Sequence, residues 1–538
     1  MSVSTKRAVA PRLTARLFTV LAGVAGLAAL AVGLWLLIVP RLALAGIERL
    51  RLEPTPASVY VPAGAPPGPV IVIAHGFAGS QQIMEPFALT LARNGYTAVT
   101  FDFPGHGQSA EALQGGLADR EGRYRQLRPA LDAAVAHARE RGDGRVALVG
   151  HSMGSEAVVR YAQEHPDIAA TVAVSLVYEG VRADSPRNLL VLTGALEGGL
   201  RPLAEAVIVT AAGATGVPGV TYGDLAAGTG RRVVFVPGAE HLGVLFSQVS
   251  MAEALGWIQA AMPLTAMPPG AGYLDDRLPA LGLVYLGAVL LYWPLARLLQ
   301  PIGPGGGPAP SWERRAWWAL ALVPALLTPL LLRLIPAGGL LPILVGGPLA
   351  LLFGIYGLLT GAGLLLVRIM RRGAGNGTQA PGGWGQRIAV WRRSILMAVA
   401  AALLVIGYVL LSFGLPTQVF LLNYFPPAVR LPVFLAVAAA MLPYFLADER
   451  LARGPGAPRG AYALTKLCFL ASLALAIVLN PQELFFLVLI TPLFIAYFAV
   501  YGLLSGIVYR RTGTILVGAL TNTFLFAWIV AATFPLAR

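Results

Sequence analysis

The chain has 538 residues, 56% of them hydrophobic and only 12% charged, with a mean hydropathy of +0.69. That balance excludes an ordinary soluble enzyme and points to a membrane protein. The net charge of +14 is unevenly spread: residues 275–538 carry +13, residues 1–40 carry +4 and the stretch between them carries −3. The excess lies among apolar segments, as topology-setting loop charge does, so nucleic acid is excluded as the partner. The single cysteine, Cys468, allows no intrachain disulfide.

Residues 1–16 form a basic tail with Lys6, Arg7, Arg12 and Arg16 and no acid. The apolar run over residues 17–39 is long enough to cross a bilayer and is expected to be an uncleaved signal anchor, with a cleaved signal peptide as the alternative. Over residues 54–263 short apolar runs alternate with amphipathic stretches, the βα rhythm of a mostly parallel sheet in one α/β domain. Strands are predicted at 70–74, 96–101, 145–149, 168–175, 188–192 and 232–236, and helices at 81–94, 119–141, 155–165 and 242–261.

Residues 278–538 read as an all-α membrane domain of about eight spans, at 278–300, 316–335, 339–368, 394–414, 431–447, 461–480, 484–508 and 513–536. The long 339–368 segment, with its paired glycines, leaves room for a broken or re-entrant span. Arg297, Arg314 and Arg315 fall on one side of these spans, as do Arg368, Arg371, Arg372, Arg387, Arg392 and Arg393, then Arg450, Arg453, Arg459 and Lys466, then Arg510 and Arg511. The opposite connections, 416–430 and 480–483, are nearly free of basic residues. Positive-inside counting then makes the protein a multi-pass component of the cell membrane. Its N-terminus is cytoplasmic and the α/β domain extracytoplasmic. The stretches 303–310 and 373–385 are Gly/Pro-rich, as flexible loops are.

The chemistry-bearing stretch is Gly150-His151-Ser152-Met153-Gly154. It sits between a short β-branched run and a helical one, as a nucleophile elbow does, with flanking glycines where strand and helix leave no room for side chains. A serine hydroxyl needs a base, and all six histidines lie in the α/β domain. His241 follows the last predicted strand, at the carboxyl edge where open sheets build their sites. His137 and His165, on helices or helix ends, are expected to be solvated. Gly76 and Phe77 follow the strand 70–74, so the N–H groups of Phe77 and Met153 are the expected oxyanion donors. The acid is open among Glu197, Glu179 and Asp184. Strand order favours Glu197, while Glu240 is too near His241 in sequence to reach its ring. The pattern calls for no cofactor and no metal.

Residues 54–263 resemble the α/β-hydrolase superfamily, in particular its serine aminopeptidase S33 and monoacylglycerol-lipase-like branch. The matching motifs are His75-Gly76-Phe77, Asp102-Phe-Pro-Gly-His-Gly-Gln-Ser109, Gly150-His-Ser-Met-Gly154, Gly194-Ala-Leu-Glu197 and Pro237-Gly-Ala-Glu-His241. The resemblance implies a Ser152–His241–Glu197 triad and a structural role for His106. It departs in placing Glu where the family usually has Asp, and in the very short stretch from Ser175 to Asn188, where a lid is commonly inserted. In the membrane half, Asp448, Glu449 and Arg453 faintly resemble the Glu-Glu-x-x-x-Arg motif of CAAX-protease-like enzymes. No histidine follows; Asn522 stands about where one is expected. That half is expected to be a catalytically degenerate scaffold, with Asp448 and Glu449 as interfacial charges balanced by nearby arginines.

The expected protein is a membrane-anchored serine hydrolase of carboxylic esters, acting through an acyl-enzyme. Its expected partners are a small or amphiphilic ester, with a lipid-like ester among the candidates, and the lipid bilayer. The alternative is a polytopic transporter or scaffold with an extracytoplasmic hydrolase-fold binding or regulatory domain.

Overall fold

The computed structural model describes residues 10–53, 55–64, 66–115, 119–266, 271–302, 313–373, 384–484 and 486–538. Lys6 and Arg7 of the predicted tail, position 54 at the predicted domain start, the loop 303–310 and most of the loop 373–385 lie outside them. The chain divides into two compact units. One comprises Ala31–Val284, Leu415–Val429 and Ala532–Arg538; the other comprises the segment ending at Leu30, Tyr285–Gly414 and Arg430–Ala531.

The first unit is built on one nine-stranded sheet. After the long helix α1 (Ala10–Leu42), a hairpin of β1 (Gly46–Leu52) and β2 (Thr55–Val61) leads into β3 (Val70–Ala74), α2 (Glu85–Arg93) and β4 (Thr97–Phe101). The chain continues through α3 (Arg120–Arg141), β5 (Val146–His151), α4 (Met153–Glu164), β6 (Ala170–Val174) and β7 (Leu189–Gly194). It closes with α5 (Arg201–Ala212), β8 (Thr221–Tyr222), β9 (Arg231–Val236) and α6 (Gln248–Ala261). The strand order is β1-β2-β4-β3-β5-β6-β7-β9-β8. The strands β4, β3, β5, β6, β7 and β9 are parallel, and the edges are antiparallel.

The central strands are buried on both faces, which is why they read as unbroken apolar runs. Their side chains divide by parity. Leu190 and Leu192 of β7 join Ile71, Ile73 and Val149 in a core covered by α2 and α6, through Phe87, Leu91, Trp257 and Ile258. Leu189 and Val191 turn the other way, onto Val159 of α4 and Val207 and Ile208 of α5. The register levels the carboxyl ends of the strands: Ala74 pairs with both Phe101 and Gly150, and Gly194 with Val236.

Two segments distant in sequence complete this unit. Asn423 donates its backbone N–H to Ser80 Oγ at 3.0 Å, and Gln108 Nε2 donates to the Phe425 carbonyl at 2.7 Å. The tail at Leu536–Arg538 pairs with the loop after β4: Leu536 N–H reaches Gly105 O at 2.9 Å and Arg538 N–H reaches Leu113 O at 2.8 Å. A buried ionic network ties the helix ends to α2. Glu85 is fully buried; it pairs with Arg277 at 2.8 Å and with Arg41, while Arg277 also pairs with Asp275 at 2.7 Å.

In the second unit, together with α1, nine helices among the described residues are long and apolar enough to cross a membrane. They match the predicted spans in number. The predicted 339–368 segment proves to be a continuous helix, Gly346–Gly373, preceded by turns that hold the glycine pair at 338–339. The helix Leu431–Ala452 carries Asp448 and Glu449 near its end, and the expected balance by a nearby arginine holds for Glu449. Both are buried, Asp448 pairing with Lys466, and Glu449 with Arg453 at 2.9 Å and with Asn522 Nδ2 at 3.3 Å. Charges inside a helix bundle persist only when paired in this way, because desolvation otherwise costs several kcal/mol.

Glu85 provides the stability test of the first unit. Burial opposes its ionisation, but Arg277 and Arg41 outweigh burial and hold its carboxyl below the ordinary range. A depressed carboxylate pKa contributes stability that is fully present above about 4.3 and is lost as pH falls through the folded value. Glu85→Gln is therefore expected to cost about 3–5 kcal/mol at neutral pH. Thermal unfolding of the full chain, followed from pH 7 down to acid, should show this gap narrowing below about pH 4.3. A gap that is absent at neutral pH would remove the network from its role.

Candidate active site

Ser152 stands between β5 and α4, at the N-cap of α4, with φ +53° and ψ −118°, a conformation that side-chain-bearing residues rarely adopt. The flanking glycines make it possible. A Cβ on Gly150 would lie 2.3 Å from the Gly154 carbonyl oxygen, and one on Gly154 would lie 2.5 Å from that of His75. Gly76 is close as well: a Cβ there would lie 2.9 Å from His151 Nδ1 and 3.1 Å from Ser152 Cβ. The serine is thus held half-exposed on the levelled carboxyl edge of the sheet.

His241 comes to it from the loop after β9. Its Nε2 lies 3.0 Å from Ser152 Oγ, and its Nδ1 lies 2.6 Å from Glu197 Oε1. Because Glu197 only accepts when ionised, Nδ1 carries the proton and Nε2 is left to accept from the serine hydroxyl. Glu197 is nearly enclosed, with 4% of its side chain exposed. It is the carboxylate that meets His241; Glu179 and Asp184 are exposed. Glu240 faces away, accepting from the N–H groups of Leu242 and Gly243 and so capping the turn behind the histidine.

Met153 opens α4, where first-turn N–H groups have no partner within the helix, and Phe77 stands in the β3 loop beside Gly76. Two further histidines build the walls. His75 accepts the Phe103 N–H at Nε2 (3.0 Å), with Nδ1 against the Gly76 carbonyl at 2.7 Å; burial lowers its pKa. His151 Nε2 reaches the His241 carbonyl oxygen at 2.9 Å, and burial keeps this ring neutral well below the usual histidine range. His106 is buried, with Nδ1 2.9 Å from the Pro104 carbonyl oxygen and its ring against those of His75 and Phe77. His137 and His165 are half-buried instead of solvated, and His165 stacks on Tyr161 at 4.0 Å.

Ser175 was not anticipated from the sequence. It follows β6 with φ +52° and donates from Oγ to Glu197 Oε2 at 2.9 Å; the Gly194 N–H reaches the same oxygen at 2.6 Å. Both oxygens of the glutamate are thereby fixed, one for His241 and one for the scaffold. The only sequence signal was a polar residue closing an apolar strand.

A parallel sheet flanked by helices on both faces, with a strained serine after the fifth strand and a histidine after the ninth, decides the fold. The chain carries an α/β-hydrolase domain. Residues 65–202 match the family described as serine aminopeptidase, S33. Esterase YjfP of Escherichia coli K12 is 28% identical over 137 residues, 24% of this chain, and that match covers 54% of the esterase. Among solved structures, the monoglyceride lipase of Saccharomyces cerevisiae aligns over 41% of this chain and 97% of its own at 13% identity, with a TM-score of 0.30. XC6422 of Xanthomonas campestris, described as a serine hydrolase without lid, aligns over 41% and 98% at 18% identity, TM-score 0.30.

The role of Ser175 has a direct test. Ser175→Ala is expected to slow labelling of Ser152 by a fluorophosphonate about tenfold, near the low end of what a hydrogen bond to a charged group contributes. Ser175→Thr, which keeps the hydroxyl, should recover much of that loss. Equal loss in both variants would mark a purely steric effect at this strained position.

Proposed function

We propose that the chain is a membrane-anchored serine hydrolase that cleaves a carboxylic ester through an acyl-enzyme. The observation that carries this reading is the Ser152–His241–Glu197 relay at 3.0 and 2.6 Å. Ser152 Oγ attacks the carbonyl carbon as His241 Nε2 takes its proton, and Glu197 stabilises the resulting imidazolium. The N–H groups of Phe77 and Met153 receive the developing oxyanion. The intermediate collapses, the leaving alkoxide takes the proton from His241, and the acyl group stays on Ser152. Water then attacks the acyl carbon, again giving its proton to His241, and Ser152 Oγ leaves with that proton.

An ester is favoured over an amide because an alkoxide needs less help to leave than an amine. Residues 175–188, between β6 and β7, hold no helix that would cover the serine. A domain without such a cover, preceded and followed in sequence by long apolar helices, suits a small or amphiphilic ester.

The arginine pattern places the N-terminus in the cytoplasm and the hydrolase domain outside it. Nine spans put the 415–429 connection and the 532–538 tail on the same side as the hydrolase domain, and both belong to its compact unit, which supports the span count.

Purified protein should be labelled by a fluorophosphonate, and Ser152→Ala should not; equal labelling of both would remove Ser152 from its role. Glu197→Gln should lower turnover of a p-nitrophenyl ester by about 10³–10⁴-fold, the effect of removing the orienting charge behind a catalytic histidine. For orientation, exposed Glu179→Cys in a Cys468→Ala background should react with an impermeant maleimide on intact cells. Reaction only after permeabilisation would reverse the assigned sides.

A further inference from the structure

A second concave site lies in the hydrolase-bearing unit, away from the serine. It is a cleft of about 680 Å³ between the β1–β2 hairpin and the 415–429 segment, and neither Ser152, His241 nor Glu197 lines it. That volume is in the range of sites that hold a ligand headgroup. Its wall contains two arginines, Arg41 and Arg49, and no carboxylate. Ser58, Gln81, Gln108 and Gln418 already bond within the protein, while Ile47, Val419 and Phe425 give it an apolar side.

Two polar atoms there are conspicuous. Arg41 uses its Nη2 on Glu85 and on the Val419 carbonyl, and its guanidinium lies 4.3 Å from the centre of the Phe420 ring. Its Nε, however, is buried with no hydrogen-bond partner, and so is Oε1 of Gln82. Buried donors and acceptors are normally satisfied, so an unpartnered pair in the wall of an open cleft points to a ligand with oxygens to accept and a hydroxyl to give. Arg49, on the exposed side of β1, completes a cationic rim.

The wall also tells where such a ligand comes from. Arg41 is the next-to-last residue of the apolar helix segment Arg16–Leu42. Val419 stands one residue before the end of another, Ile388–Phe420, and Pro426 stands two residues before the start of a third, Ala428–Ala452. Three lining segments are therefore span ends, which is the depth of lipid headgroups.

We propose that this cleft binds the headgroup of an anionic glycerophospholipid, with Arg41 and Arg49 facing its phosphate, Gln82 accepting from its polar hydroxyls, and the apolar wall against its glycerol and upper chains. The inference rests on the membrane placement proposed above and is independent of the chemistry at Ser152.

The test uses the full chain in detergent, carrying Ser152→Ala so that no lipid is consumed, with native mass spectrometry to count retained lipid. Dioleoyl-phosphatidylglycerol is expected to be retained in preference to dioleoyl-phosphatidylcholine. Arg49→Gln, an exposed substitution outside the ionic network, should lower that retention about fivefold, and Arg49→Glu further, as loss of one interfacial cation predicts. Equal retention of the two lipids, or retention indifferent to both Arg49 variants, would overturn the proposal. Inorganic phosphate in large excess should not displace the lipid; displacement would assign the cleft to free phosphate instead. Because binding is read with the serine removed, failure here leaves the hydrolase reading standing, and absence of fluorophosphonate labelling leaves this one standing.

Discussion

The close approach of α4 to the ends of β3 and β5 is the constraint on which the rest of the site depends. Three backbone segments meet there with almost no space between them, and the Gly150 and Gly154 positions admit no Cβ. That contact forces Ser152 into a backbone conformation it would not choose alone, and the surrounding sheet supplies the energy that holds it there. Once the serine is fixed, the level register of the parallel strands determines what can reach it. Residues that end neighbouring strands lie at one height, so a histidine after β9 and a glutamate after β7 converge although 44 residues separate them.

The core of this domain was legible in the sequence because its physics is local. A strand buried on both faces must be apolar throughout, so 70–74, 145–149 and 188–192 were visible as runs. The elbow glycines and the loop before His241 were visible because their constraint is steric and leaves a short motif. The edge hairpin was not legible, since β1, Gly-Ile-Glu-Arg-Leu-Arg-Leu, mixes exposed charge with half-buried aliphatics and gains its structure by pairing with β2. Ser175 escaped for a related reason. Its value lies in a hydrogen bond to a residue 22 positions away, and nothing in a single polar residue announces that partner.

The buried charges show the same limit more sharply. Glu85, Arg277 and Asp275 form one network, but Glu85 and Arg277 are 192 residues apart. In the second unit, composition and spacing located the long apolar helices, and Glu449 does pair with a nearby arginine, Arg453, but the partner of Asp448 was missed. Lys466, on the next helix, was grouped with the loop cations, whereas it is the partner that lets Asp448 stay inside. Hydropathy averages over a window and cannot register a charge that is neutralised by one neighbour.

The two short additions to the hydrolase-bearing unit, 415–429 and 532–538, have a consequence for the order of assembly. Asn423 bonds Gly107 across 316 residues, and the tail at Leu536–Arg538 pairs with the loop at 105–113. During synthesis the sheet and its helices can form early, since most of their contacts lie within one contiguous stretch. The loop after β4 cannot reach its final pairing until several later helices have been made. Such long closures are entropically slow. The sheet therefore passes through a period in which it is folded but its 105–113 loop is not yet closed by the tail. Synthesis of the later apolar helices is what ends that period.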